Sequence, residues 1–378
     1  MPVRMGKNWR SPSIRRWWCM PFSVPYRLEK DERGTLSSCS VAALCEEAVM
    51  QVDRQVLMDA EAVCVEAVRE AGAVLKTYFR APLDVEFKKK GQQSPVTEAD
   101  RRSEAMLRDA LSKAFPDHGI IGEEQDDVVN AGADYVWFLD PLDGTTNFTA
   151  GLPAFAVSMG LCYRGTPVLG VVGVPWEGGE GTIFHAYQGG GAHCNDVAMQ
   201  IAPSEVPAGT RLMSMPFWAL GQYRVGRRSS IRGGNIRANG SIAYELVYTA
   251  HGSYQFSVIS GARLWDMIAG AVLVQEAGGA MLCCNGKTRR WSDWESFLKR
   301  ALAKPFGDDI EALRKLHVYM LVGNPDVVQR QAGMISLRRP LPGVRAVRKQ
   351  IGKIKQRRRD KADAKTASGS TDTSASKG

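Results

Sequence analysis

The sequence predicts an α+β fold, and three observations carry the prediction. Apolar residues recur at helical spacing through 41–80. From Tyr135 onward, short apolar runs punctuated by glycine read as strands. Helical spacing then returns between Ser241 and Ala277. Stretches of helix followed by stretches of strand mark an α+β chain.

The first helix is expected over 41–80 with at most one break. Val63, Ala67, Val68, Ala71, Val74, Leu75 and Tyr78 share one face, and Ala81-Pro82 ends it. A short strand-like stretch follows from Val85 to Lys90, and Ser94-Pro95-Val96-Thr97 reads as a loop. Thr97 and Asp100 form a capping pair for a helix from Glu98 to about Ala114. Its expected inner face is Met106, Leu107, Ala110, Leu111 and Ala114. A turn then leads to a brief strand at Ile120-Ile121, and the apolar run from Val136 to Leu139 ends at Asp140-Pro141. Strands follow at Ala154 to Tyr163, Val168 to Val174 and Thr182 to Tyr187, with a hairpin turn from Val174 to Gly179. Helices are expected from Ser241 to Ala250 and from Asp266 to Ala277, the second stopped by Gly278-Gly279. His317 to Val322 is a late strand, and after Gln331 the hydrophobic rhythm fades.

The chain has 378 residues, enough for two fused subdomains or one large domain with tails. Its net charge of +9 is unevenly placed. Residues 338–378 hold 13 Lys and Arg against 3 Asp and Glu, and residues 1–30 hold 7 against 1. The body between them is therefore mildly acidic. Residues 1–40 read as a disordered basic extension, or as the product of an upstream start codon, and 336–378 as a basic disordered tail. The tail is either a solvated solubility aid or a contact for nucleic acid or an anionic surface. No apolar run is long enough for a membrane span, and no secretory core follows Arg15-Arg16. The eight cysteines form no C-x-x-C pair, and no zinc spacing links them to histidines. A cytoplasmic, reduced protein is the expectation.

Four acidic clusters carry the chemistry: Thr97-Glu98-Ala99-Asp100, Gly122-Glu123-Glu124, Leu139-Asp140-Pro141-Leu142-Asp143-Gly144-Thr145-Thr146, and Trp265-Asp266 with its following Ala269-Gly270. In the third, two aspartates straddle a proline at a strand end and aim at one point. Their repulsion makes a metal the natural reason to hold them together. Gly144-Thr145-Thr146 beside them leaves backbone N–H groups free to receive a phosphate. Oxygen ligands without histidine favour Mg²⁺. Alone, Asp140 and Asp143 could cap a turn, Glu123-Glu124 could be a solvated loop, and Asp100 and Asp266 could be helix-start acids.

In this order and spacing the four clusters resemble the inositol monophosphatase superfamily, which includes bisphosphate nucleotidases and enzymes like fructose-1,6-bisphosphatase. The resemblance covers roughly Val56 to Gly279 and resumes near Leu321 to Pro325. It implies a layered α-β-α-β-α sandwich. The phosphatase domain would span 41–335, with an α+β half over about 41–190 and a second half over about 191–335. It also implies two or three Mg²⁺ ions. Glu123, Asp140 and the Leu142 carbonyl would hold the first, and Asp140, Asp143 and Asp266 the second. Catalysis would fall to Glu123, Thr145 and Asp100, which direct a metal-activated water in an in-line displacement. Leu142, Asp143, Gly144, Thr145, Gly240 and Asp266 would bind a small phosphorylated metabolite. Lys90 matches a family lysine near the phosphate.

The resemblance thins at substrate choice. Inositol-selective members carry a glutamate seven residues before the Trp-Asp aspartate, where this chain has Ile259. Arg263 could face an extra phosphate or lie on the surface, and Arg224, Arg227, Arg228 and Arg232 hint at a more anionic substrate. Inositol monophosphatase-like activity is the first expectation. A 3'(2'),5'-bisphosphate nucleotidase, a fructose-1,6-bisphosphatase or a histidinol-phosphate phosphatase is the alternative. A non-catalytic regulator would lack a ligand, and none is missing. Residues 286–316 look like an insertion whose Trp291, Trp294, Phe297 and Leu298 pack on the body or on the partner of a homodimer.

Overall fold

The computed structural model describes residues 52–338, apart from 82–84, 88–94, 126–128, 131, 178, 180, 204–211, 230, 232–233, 286–288 and 302–309. The 1–40 extension, the start of the first helix at 41–51, Lys90, Arg232 and the tail beyond 338 thus lie outside the described residues.

Helix α1 (Arg54–Tyr78) is continuous and is capped by the Asp53 carboxylate, which accepts from Gln55 N. Its buried stripe includes Ala60, Cys64, Ala67, Val68, Ala71 and Leu75, close to the predicted face. Strands β1 (Val85–Phe87) and β2 (Pro95–Thr97) pair antiparallel, so the segment expected as a loop is in part a strand. Helix α2 (Glu98–Ala114) starts in a capping box of Thr97 and Asp100, as the sequence predicts. Its buried face, however, is Ala99, Asp100, Ser103, Glu104, Leu107, Arg108 and Leu111. The expected face missed by about one residue because Glu104 and Arg108 are buried together as an ion pair of 2.7 Å. Hydrophobicity alone would have placed both in water.

The first sheet runs β3 (Gly119–Gly122), β4 (Tyr135–Asp143), β5 (Ala156–Tyr163), β6 (Thr166–Val174), β7 (Thr182–Tyr187), β8 (Gly191–Cys194) and β9 (Val197–Ala198) in that spatial order. Only β3 and β4 are parallel among these neighbours. Residues along β4 alternate between two cores: Trp137 and Leu139 face α1 and α2, whereas Val136 and Phe138 face the interior. The short helix α3 (Thr145–Thr149) follows β4.

The second sheet has the order β12 (Asn235–Arg237), β10 (Leu212–Ser214), β13 (Phe256–Ala262), β16 (Val318–Gly323), β14 (Ala280–Asn285) and β15 (Ser292–Asp293). Helices α4 (Ile242–Ala250), α5 (Leu264–Glu276) and α6 (Trp294–Ala301) contribute to the core shared by the inner faces of the two sheets. Helix α7 (Ile310–Arg314) precedes β16. On the second sheet's far side, α8 (Pro325–Ala332) closes a third core with Met213, Phe256, Val258 and Leu321. The layers are therefore α-β-α-β-α.

Two expectations are sharpened. The insertion's helix packs on the body, because Trp294, Phe297 and Leu298 of α6 are buried in the central core. The domain also runs past the expected boundary at 335. Strand β17 (Ile335–Leu337) pairs antiparallel with β11 (Tyr223–Val225), and such a short pairing leaves little periodicity to detect.

Helix α5 is apolar all round and buried from Leu264 to Val274 except at Asp266, as befits a helix between two sheets. Its close seat depends on glycines. Gly160 and Gly170 oppose each other across β5 and β6. A Cβ on Gly160 would lie 2.5 Å from Ile268 Cγ2 and 2.8 Å from Ala269 N. One on Gly170 would collide with the Ala269 backbone. Gly170→Ala should therefore lower unfolding free energy by about 1–3 kcal/mol, measured by urea denaturation. An unchanged midpoint would show that α5 does not need this seat.

Candidate active site

Strand β4 delivers two of the site's carboxylates through a bulge. Asp140 lies opposite Ser158 and Asp143 opposite Ala156, so three steps on β4 match two on β5. In a regular strand, residues three apart face opposite sides. The extra residue restores Asp140 and Asp143 to one face. The strand does not stop at Pro141. Ser103 Oγ of α2 donates to the Pro141 carbonyl at 2.9 Å and holds the bulge from outside.

Each aspartate is oriented by backbone donors. Asp140 Oδ1 accepts from Leu142 N at 3.0 Å. Asp143 Oδ2 accepts from Ser241 Oγ at 2.8 Å and from Ala243 N in the first turn of α4. Asp266, in the first turn of α5, accepts from Arg263 N at 2.9 Å. Both helix N-termini favour a carboxylate. Glu123 follows β3, and its own N–H donates to the Leu139 carbonyl at 3.0 Å.

These elements bring Glu123, Asp140 and Asp266 together, with one potential ligand atom from each lying within 4.8 Å of the others. The triangle joins residues that the resemblance divides between two ions, with Asp140 common to both. Asp143 stands outside that triangle but couples to Asp266 by charge. Burial pushes the Asp140 and Asp143 carboxyls well above the usual range. Repulsion adds to this, from Glu123, Asp143 and Asp266 on Asp140, and chiefly from Asp266 on Asp143. Asp266 is raised to about 7, by burial and then by Glu123.

Beside the carboxylates, Thr145 Oγ1 lies 3.3 Å from Asp100 Oδ1 and 3.1 Å from the Leu142 carbonyl. Asp100 is buried and its carboxyl is raised by desolvation, against the lowering effect of hydrogen bonds from Thr97. Gly144 has φ +94°, a left-handed turn where a Cβ would meet Ala154 O and Ser241 Cβ at 3.0 Å. Gly240 turns at φ +79° against Asn147, whose amide donates to the carbonyls of Ala154 and Asn239.

The donor set fits a hard divalent cation. All donors are oxygens, Asp140 is buried and Glu123 and Asp266 partly so, and Asp140 is raised by repulsion from the other carboxyls, which a cation between them would relieve. The described residues include no helix long and apolar enough to cross a membrane.

A protein-family comparison matches residues 57–306 to the description "Inositol monophosphatase family". The chain belongs to the inositol monophosphatase family. It is a phosphoric monoester hydrolase. Among curated relatives, the "Inositol-1-monophosphatase" of Rhizobium meliloti (strain 1021) is 35% identical over 222 residues, covering 57% of this chain and 82% of the relative. The "Nus factor SuhB" of Escherichia coli (strain K12) is 36% identical over 224 residues, with the same coverages. Among solved structures, the extragenic suppressor protein suhB of Bartonella henselae superposes with a TM-score of 0.58 at 28% identity, covering 73% of this chain and 97% of that one. An IMPase of Thermotoga maritima gives 0.55 at 27% identity, covering 72% and 96%.

Several positioning residues escaped the sequence reading. Ser241, expected as a helix start and as part of the substrate-side loop with Gly240, also grips Asp143. Glu104 accepts from Glu124 N at 2.8 Å and Gln125 N at 3.3 Å, fixing the loop that carries Glu123. Its signal was an i,i+4 Glu–Arg pair in phase with Leu107 and Leu111. Glu245, raised to about 7 by burial, accepts from Asn239 N and secures the Gly240 turn. Two expectations narrow. The Arg263 guanidinium is half-buried and donates to the Arg314 carbonyl at 2.7 Å, so it is not a loose surface arginine. Arg224, Arg227 and Arg228 are exposed on or just after β11, an element that carries no site carboxylate.

Raised carboxyls tie stability to pH. Asp140, Asp143 and Asp266 hold protons in the folded, metal-free chain at pH values where the unfolded chain has released them. Their contribution is complete below about pH 4 and is lost as pH rises through the raised folded-state values, for Asp266 about 7. Metal-free protein should therefore melt at a lower temperature at about pH 8 than at about pH 5.5, with added Mg²⁺ restoring more stability at the higher pH. Calorimetric melting across that range checks the sign, and a metal-free profile that rises with pH would refute it.

Proposed function

We propose that the protein hydrolyses a small phosphomonoester with Mg²⁺ held by Glu123, Asp140, Asp143, Asp266 and the Leu142 carbonyl. The observation that carries this reading is the triangle of Glu123, Asp140 and Asp266, with Asp140 buried and the other two partly so. Mg²⁺ ions bound there supply charge neutralisation for the phosphoryl group and acidify water.

The chain's own residues account for the remaining steps. Thr145 can donate a hydrogen bond from Oγ1 to Asp100 and accept one from the attacking water, so that as the water oxygen bonds to phosphorus its proton passes to Thr145 and the hydroxyl's own proton to Asp100. Glu123 orients that water from the opposite segment. The left-handed Gly144 turns its own amide and that of Thr145 toward the phosphate, where they stabilise developing charge. Asp143, held by Ser241 and Ala243, fixes the leaving-group side against the Gly240 turn. The displacement is in line and needs no covalent intermediate.

The substrate preference turns on the position of Ile259. Ile259 is fully buried in the core between the sheets and offers no polar atom to a sugar hydroxyl. A site without that partner should prefer inositol monophosphate over a simpler polyol phosphate by less than about 100-fold. The 3'(2'),5'-bisphosphate nucleotidase, fructose-1,6-bisphosphatase and histidinol-phosphate phosphatase readings remain as alternatives. The SuhB relatives bear the name Nus factor; the basic tail is the segment of this chain whose charge would suit a contact with nucleic acid.

A phosphate-release panel tests the reading. It comprises inositol monophosphate, a glycerol phosphate, 3'-phosphoadenosine 5'-phosphate, fructose bisphosphate and histidinol phosphate, each with Mg²⁺ and with EDTA. Release from at least one monoester should need Mg²⁺ and should fall by more than about 100-fold in Asp140→Asn. Release that persists in EDTA, or in that variant, would overturn the metal assignment. Truncation after Arg338, which keeps β17, should leave the rate unchanged.

A further inference from the structure

The 286–316 segment brings one cationic side chain against the site. Arg314, the last residue of α7, lies beyond the 57–306 span matched by the family. Its Nη1 donates to the Gly122 carbonyl at 2.7 Å and to the Gln125 carbonyl at 3.1 Å. Its Nη2 donates to the Glu123 carbonyl at 3.1 Å. One planar guanidinium thus gathers three carbonyls of the loop that presents Glu123. Lysine, with its donors on a single nitrogen, cannot reproduce that fork.

The same guanidinium stacks on the other wall of the site. Its carbon lies 5.3 Å from the centroid of the Trp265 ring. Trp265 immediately precedes Asp266, and its carbonyl accepts from Ser158 Oγ, opposite Asp140 on β5. The backbone of Arg314 is braced in turn. Its carbonyl accepts from Arg263 Nη1 at 2.7 Å, while Arg263 N holds Asp266 Oδ2. Glu104 grips the amides of Glu124 and Gln125 in the same loop. The loop is therefore fixed through its carbonyls by Arg314 and through its amides by Glu104.

Glu123 and Asp266 come from segments far apart in the chain and repel each other when no cation lies between them. Arg314 contacts the supports of both without occupying the ligand positions. We propose that Arg314 is a positioning residue that sets the Glu123–Asp266 spacing and thereby the affinity for the divalent cation. This inference rests on the cation site proposed above.

The test is calorimetric titration of the full-length protein with Mg²⁺, and with Mn²⁺ as a tighter probe, for the natural chain and for Arg314→Ala, Arg314→Lys and Glu123→Gln. Arg314→Ala should weaken cation binding by about 10–100-fold. Arg314→Lys, which keeps the charge and protects against loss of fold, should still weaken it by about tenfold, because the fork and the stacking are lost. In phosphate release, the Mg²⁺ concentration for half-maximal rate should rise in the same proportion. The kcat at saturating Mg²⁺ should stay within about twofold, a split that general loosening of the fold would not produce. Unchanged cation affinity in either Arg314 variant, with Glu123→Gln impaired, would overturn this inference alone. Absence of cation binding in the natural chain, or binding unaffected by Glu123→Gln, would overturn the cation site and this inference together.

Discussion

The mutual repulsion of carboxylates held in a buried site is the constraint on which the rest of this structure depends. Asp140, Asp143 and Asp266 are all raised by burial, Asp140 further by Glu123, Asp143 and Asp266, Asp143 by Asp266 and Glu123, and Asp266 by Glu123. No fold gathers such groups without cost. Several nearby features meet that cost or hold the groups in place. Backbone amides at Leu142, Ala243 and Arg263 each give one carboxyl a partner. Two helix N-termini, those of α4 and α5, point their favourable ends at the cluster.

Packing serves the same end. The bulge at Pro141-Leu142 turns Asp140 and Asp143 to one face, at the loss of regular pairing in β4. The glycines at 160 and 170 let α5 settle onto the first sheet, which brings Asp266 within reach of Asp140. Neither device touches a substrate. Both decide whether the ligands converge, and convergence to within about half an ångström is what a metal site needs.

The site also spans both sheets, and so ties function to the assembly of the layers. Asp140 and Asp143 belong to the first sheet, whereas Ser241 and Asp266 start helices of the central layer. Asn147 joins the Gly144 and Gly240 turns, and Arg314 joins the Glu123 loop to Trp265. A site shared in this way is complete only when the layers dock. The residues at the joints therefore matter as much as those that would face the substrate.

The acidic motifs, their order and the family they announce were legible in the chain itself, because they rest on local spacing: a capping box at Thr97 and Asp100, an Asp-Pro-Leu-Asp-Gly-Thr segment, and a Trp-Asp at a helix start. So were most helices and long strands, whose apolar periods repeat several times. Short strands such as β2, β11 and β17 were not, since three residues hold no period. The inner face of α2 was misplaced because Glu104 and Arg108 are buried by pairing with each other, and one-dimensional hydrophobicity does not register pairing. Only the tertiary structure decided that the insertion's aromatics pack into the body and that Arg263 and Arg314 support the site instead of floating on its surface. Those contacts join residues up to 192 positions apart, as in Arg314 to Gly122. They exist only because two sheets close on one central layer, and no local pattern in the chain encodes which distant carbonyl an arginine will meet.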